Sequence, residues 1–248
     1  MSEELNLVYD SIDKANQHET AFTRRKLVGA AAGAIGGLGL LGIPDVVKAG
    51  GGGPGNTPEN ILALAATVEV LATIVNTVGP EKVNLNSVVR RNVRSAAREE
   101  LIHYDVLTGP LGAKALTKTI WIPDSVFRSQ RNLLNALEVG DQVFINAYLI
   151  GTTAFGNAGN GKFARVTGEF MGAEAVHRAL ARQALGKLGN DRAFMQYTFT
   201  NIFRAKSLLE GAGFGFGKRG RGPGQFYELD RVRRRTPNPG GVNTRTPK

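Results

Sequence analysis

The chain has no cysteine in 248 residues, which excludes a disulfide framework, thiolate metal sites and cysteine nucleophiles. Histidine is scarce as well: His18, His103 and His177 are the three. Acids are outnumbered, 21 Asp and Glu against 31 Lys and Arg, leaving a formal charge of +10. Strict alternation of apolar and polar residues is rare, which argues against a β architecture. A hydrophobic content of 42% with 21% charged residues is that of a chain that buries a real core, so disorder throughout is excluded.

Helical spacing is plentiful. Thr57-Pro58-Glu59 is a helix start, with a capping hydroxyl, proline at the first helical position and an acid at the positive end of the dipole. Behind it Ile61, Leu64, Ala65, Val68, Leu71, Ala72 and Val75 recur at helical intervals, with Glu69 in their midst. Further helices are predicted over about 86–107, 125–154 (with a break near Gly140) and 162–186, and a fifth, aromatic one over 192–209. The stretch 108–125, with Pro110 and Pro123, reads as a long crossover between the second and third helices. The predicted class is all-α.

Two of the three histidines stand in the same local pattern. "REELIHYDVL" places Glu100 and His103 three apart, and "GAEAVHRAL" repeats this with Glu174 and His177. Residues at i and i+3 share a helix face. Glu69 precedes Glu100 by 31 residues and Asp141 precedes Glu174 by 33, so two helix pairs of nearly equal length each carry an acid, then a Glu-x-x-His. Buried acids at mid-height of four helices repel unless cations lie between them. Two divalent ions would resolve the conflict, with Glu69, Glu100, His103, Asp141, Glu174 and His177 as ligands. Carboxylates and imidazoles without thiolate suit iron or manganese. Other readings stay open: Glu69 paired with Arg90, Arg91 or Arg94, Glu138 in place of Asp141, or Asp141 as a helix cap. Tyr104 and Tyr148 are candidates to hydrogen-bond the ligands, or simply to pack.

This is the pattern of the ferritin-like di-iron four-helix bundles. Through "ENILALAATVEVLA", "REELIHYDVL", "DQVFINAYLIG" and "GAEAVHRALARQALG", region 57–186 resembles the exported ferritin-like proteins related to plant desiccation-associated proteins. The resemblance implies a ferritin-like four-helix bundle with an additional C-terminal helix, and di-iron or di-manganese chemistry of the ferroxidase or peroxide-scavenging type. The position seven residues before Tyr148, glutamate in such relatives, is Asp141 here, which shortens one ligand arm by a methylene.

The ends carry other signals. Thr23-Arg24-Arg25-Lys26-Leu27-Val28 leads into an apolar, glycine-diluted run to Ile43, with Lys48 near a small-residue cleavage site. This resembles a twin-arginine signal read through Arg24 and Arg25, implying the twin-arginine export machinery as a partner and a periplasmic or extracellular protein, anchored if uncleaved. The expected organisation is a signal over 1–49, a glycine-rich linker over 50–56, the helical domain over 57–210 and a basic tail without regular structure over 211–248. From Lys218 to Lys248 there are nine Lys or Arg against two acids, which suits an anionic surface. Nucleic acid fits poorly, because no aromatic residue interleaves the arginines after Tyr227. Ala65, Ala72, Ala96 and Ala173 allow close helix approach and leave oligomer formation open. A rival reading keeps the fold without metal, as a structural or binding stress protein.

Overall fold

The computed structural model describes residues 55–243. Four long helices dominate: α1 (Pro58–Lys82), α2 (Ser87–Thr108), α3 (Gln130–Asn157) and α4 (Gly161–Ala184). The chain is an all-α, ferritin-like bundle built of two hairpins, α1 with α2 and α3 with α4, joined by the crossover 109–129. The expected signal at 1–49, with Arg24 and Arg25, and nearly all of the linker lie outside the described residues, as do the last five positions.

Caps fall where local chemistry puts them. Thr57 accepts from the Asn60 amide with Pro58 at the first position, Asn86 accepts from Val89, Ser129 from Asn132 and Asn160 from Phe163, each meeting one amide that the first turn leaves open. α1 is apolar around its whole circumference and is buried almost continuously from Ile61 to Gly79, as such a helix must be. It is long and apolar enough to cross a membrane by length and composition, yet its partners here are α2, α3 and the C-terminal elements. α3 runs unbroken through Gly140, with Val139 and Asp141 buried on either side of it.

Two expectations give way. The aromatic stretch 192–202 is irregular, and the helix begins only at α5 (Phe203–Gly211). The cause is Asn146, wholly buried on α3: its Oδ1 accepts from the amides of Thr198 and Phe199, and its Nδ2 donates to the Phe199 carbonyl at 2.8 Å. Those backbone groups are thereby committed to a side chain rather than to a helical ladder.

The second concerns the basic tail. Residues 211–243 are built into the fold. Strand β1 (Thr119–Pro123), inside the crossover, is flanked by β2 (Gly215–Phe216) and β3 (Gly224–Glu228) in an antiparallel sheet of order β2-β1-β3. α6 (Leu229–Val232) follows, with Leu229 and Val232 buried. Two basic side chains of this region are fastened to the bundle, Arg233 to Asp105 at 2.9 Å and Arg235 to Glu81 at 2.8 Å, and its Asp230 pairs with Lys118 of the crossover at 3.2 Å. Burial of Phe214, Phe216, Leu229 and Val232, not the charge, decides the structure of this segment.

The "RGRGPG" stretch is ordered by close backbone approach. A Cβ on Gly220 would lie 2.1 Å from the Gly213 carbonyl, where the Arg221 amide donates at 3.0 Å. Gly220→Ala is therefore expected to cost about 1–3 kcal/mol, measured by denaturant unfolding. Unchanged stability would mean that the sheet yields there without loss.

Candidate metal centre

Each bundle helix brings one or two acidic or imidazole side chains to a shared level. Glu69 from α1, Glu100 and His103 from α2 and Glu174 from α4 are all buried, and one ligand atom from each lies within 4.8 Å of every other. His103 Nδ1 sits 3.5 Å from Glu69 Oε1, 3.5 Å from Glu100 Oε2 and 3.7 Å from Glu174 Oε1. His177 Nδ1 lies 3.1 Å from Glu100 Oε1 and 3.6 Å from Glu174 Oε2. Glu100 and Glu174 thus each turn one oxygen toward each histidine.

These close approaches lack hydrogen-bond geometry. Both oxygens of Glu100 and of Glu174, Glu69 Oε2, Asp141 Oδ2 and the Nδ1 atoms of both histidines have no hydrogen-bond partner. Buried polar groups in folded proteins are nearly always satisfied, so this many converging ligand atoms without a hydrogen-bond partner marks a place shaped for cations. The residues present therefore fit a metal centre.

The electrostatics agree. Burial, then the charge of Glu100, raises Glu69 from 4.5 to about 7. Burial and the charges of Glu174 and Glu100 push Asp141 well above the carboxylate range. Burial alone would lower His103 and His177, but the facing carboxylates, Glu69 foremost for His103 and Glu100 for His177, hold both well above 6.5. Without a cation the cluster keeps protons that an exposed site would release.

Asp141 is buried on α3, near enough to Glu174, Glu100 and His177 to feel their charges, but it stands outside the tight group of four, as its shorter arm would have it. Its mid-helix position leaves no role as a cap. Glu138, the alternative to it, is paired with Arg182 at 2.5 Å and Lys187 at 3.4 Å. Glu69 does not pair with arginine: Tyr148 donates its hydroxyl to Glu69 Oε1, and Arg90 donates to the Pro80 carbonyl at 2.7 Å. Tyr104 does not join the site. It follows His103 by one residue, about 100° round the helix, and the charges that act on it are Lys118, Asp230, Arg233 and Asp105.

Two contacts had no signal in the sequence. Phe170 stacks on His103 with centroids 4.0 Å apart and meets Tyr148 edge-on at 5.5 Å, walling the site. Glu99, beside Glu100 on α2, accepts a 2.6 Å hydrogen bond from His177 Nε2. This turns Nδ1 inward and selects the tautomer a metal needs. Glu99→Ala is expected to weaken metal binding about 10- to 100-fold in a chelator competition. Retained affinity would show that packing alone orients the ring.

A cavity of about 30 Å³ reaches Asp141 and His177 between walls that include Val93, Ala96, Leu137 and Ala181. It has room for a water-sized molecule, not for an organic substrate.

A family model described as a ferritin-like domain matches residues 52–187, more than half of the chain. The chain belongs to the ferritin-like domain family. No curated protein and no solved structure matches it with significance. The matched region covers α1 to α4, β1 and every candidate ligand, while α5, β2, β3 and α6 lie beyond it.

Proposed function

We propose that this ferritin-like protein holds a pair of iron or manganese ions and acts on dioxygen or peroxide, as an exported stress-protection protein of the desiccation-related kind. The carrying observation is the way Glu100 and Glu174 each offer one oxygen toward His103 and the other toward His177, so that each carboxylate could serve both ions. Glu69 and His103 would complete one position, and Asp141 and His177 the other.

Bound there, the ions would supply one-electron steps toward a small oxidant. The residues supply the rest. Glu99 holds the His177 ring, Tyr148 holds Glu69 by donating its hydroxyl to Oε1, and Phe170 covers the His103 side. The size of the cavity favours a diatomic or similarly small reactant over an organic one. Export rests on the Arg24-Arg25 signal, and contact with an anionic surface on the basic residues near the C-terminus.

The test is elemental mass spectrometry of the protein expressed with its own N-terminus and purified without chelator, with the mass of the exported form read alongside. About two iron or manganese ions per chain and a mass lacking the signal are expected. A protein that stays metal-free after anaerobic ferrous loading would sink the di-metal reading and favour the structural stress protein. An intact N-terminus on cytoplasmic protein would sink export.

A further inference from the structure

Beside the metal cluster, on the outer side of α3 and α4, lies a second buried polar group with the opposite charge. Arg178, one residue past His177, is 2% exposed. Its Nη1 donates to Asp191 Oδ1 at 3.2 Å, while its Nε and Nη2 have no partner. Those two N–H groups form one edge of the guanidinium and point the same way, the fork that takes two oxygens of an oxyanion side by side.

Asp191 does not serve that edge. Its oxygens are engaged by Arg178 Nη1 and by Arg182 Nη2 at 2.8 Å, and Arg192 Nη1 approaches at 3.9 Å. Three guanidinium groups thus gather on one carboxylate. Gln142 of α3, also buried, accepts from Arg192 Nη2 at 3.5 Å, and its Nε2 has no partner. The unsatisfied atoms of Arg178 and Gln142 are all donors. A buried cation with an unmet edge is costly, and an acceptor of negative charge would offset that cost.

We propose that the free edge of Arg178, with the Gln142 amide, binds a small oxyanion, a phosphate or a carboxylate, between α3, α4 and the segment carrying Asp191 and Arg192. None of its donors is a metal ligand, although Arg178 follows His177 and its charge acts on Asp141.

Calorimetric titration of the full chain with inorganic phosphate and, separately, acetate tests it, on metal-stripped and on metal-loaded protein. Saturable one-site binding to the wild type is expected in both states. Arg178→Lys keeps the charge but loses the fork, and Gln142→Leu removes one donor. Each should weaken binding about tenfold or more with metal content unchanged. Preference for phosphate identifies a tetrahedral ligand, preference for acetate a carboxylate. No binding of either anion to the wild type would mean that water alone meets these donors, and would overturn the proposal. Wild-type affinity in Gln142→Leu and in Arg178→Lys would do the same, and Gln142→Leu alone decides if the lysine variant does not fold. A protein that stays metal-free after anaerobic ferrous loading yet binds phosphate would refute the di-metal reading and leave this one intact.

Discussion

Replacing Glu100 and Glu174 together by glutamine is expected to take the metal content from about two ions per chain to none, while making the metal-free protein more stable. Both side chains are fully buried and none of their four oxygens has a hydrogen-bond partner. In the absence of cations they crowd Glu69 and Asp141 and help to raise both, because like charges repel in a medium that screens them poorly. Glutamine keeps the volume, removes two charges and brings amide donors to acceptors that have none, among them Glu69 Oε2. Replacement of buried ion pairs by neutral side chains of similar volume has stabilised other proteins by roughly 1–4 kcal/mol. Elemental analysis and denaturant unfolding of the stripped proteins, side by side, check both halves. A variant that retained its ions would place them elsewhere in the molecule. A variant that lost the ions and was also much less stable would show that the carboxylates hold the metal-free fold together.

Stripped of metal, the wild-type protein is expected to lose stability as pH rises through neutrality. Glu69 titrates near 7 in the folded chain against 4.5 in its ordinary state, through burial first and Glu100 second. The folded protein therefore keeps a proton that the unfolded chain has released. Across that window stability falls with pH, by on the order of 3 kcal/mol for this residue. Asp141, raised by burial and Glu174, acts in the same direction. His103 and His177 are raised above 6.5 by the facing carboxylates despite burial. Their contribution is complete below 6.5 and disappears as pH rises through their folded values. Glu99 runs the other way: burial would raise it, but the His177 hydrogen bond lowers it, so its contribution is lost only as pH falls through the acid range. Bound cations would displace the protons, so the loaded protein should not share the decline, and metal uptake should release protons to solution. Unfolding from about pH 5 to pH 9, with and without chelator, reads this directly. Stability of the stripped protein that rose with pH would contradict the protonated cluster.

The four bundle helices were legible in the sequence because their signals are local. The caps at Thr57, Asn86, Ser129 and Asn160 lie within three residues of the amides they accept from. The Glu100-His103 and Glu174-His177 pairs follow from a three-residue spacing that any helix places on one face. The nearly equal separation of acids in the two halves pointed to a shared level in the bundle, and Glu69, Glu100, His103 and Glu174 do meet there.

The rest depends on pairings that no local pattern encodes. "TIWIP" in the crossover is a strand because β2 and β3, about a hundred residues later, supply both its edges. The aromatic stretch before α5 is not helical because Asn146, 52 and 53 residues away, takes its backbone amides. Glu99 orients His177 from 78 residues away. Tyr148 rather than Tyr104 reaches Glu69, a choice made by how α3 lies on α1. The sequence by itself determined the helices, the class and the facing acids and histidines, because helical periodicity repeats every few residues. Only the tertiary structure decided which side chains meet across helices, because those distances depend on packing between residues that are neighbours in space and remote along the chain.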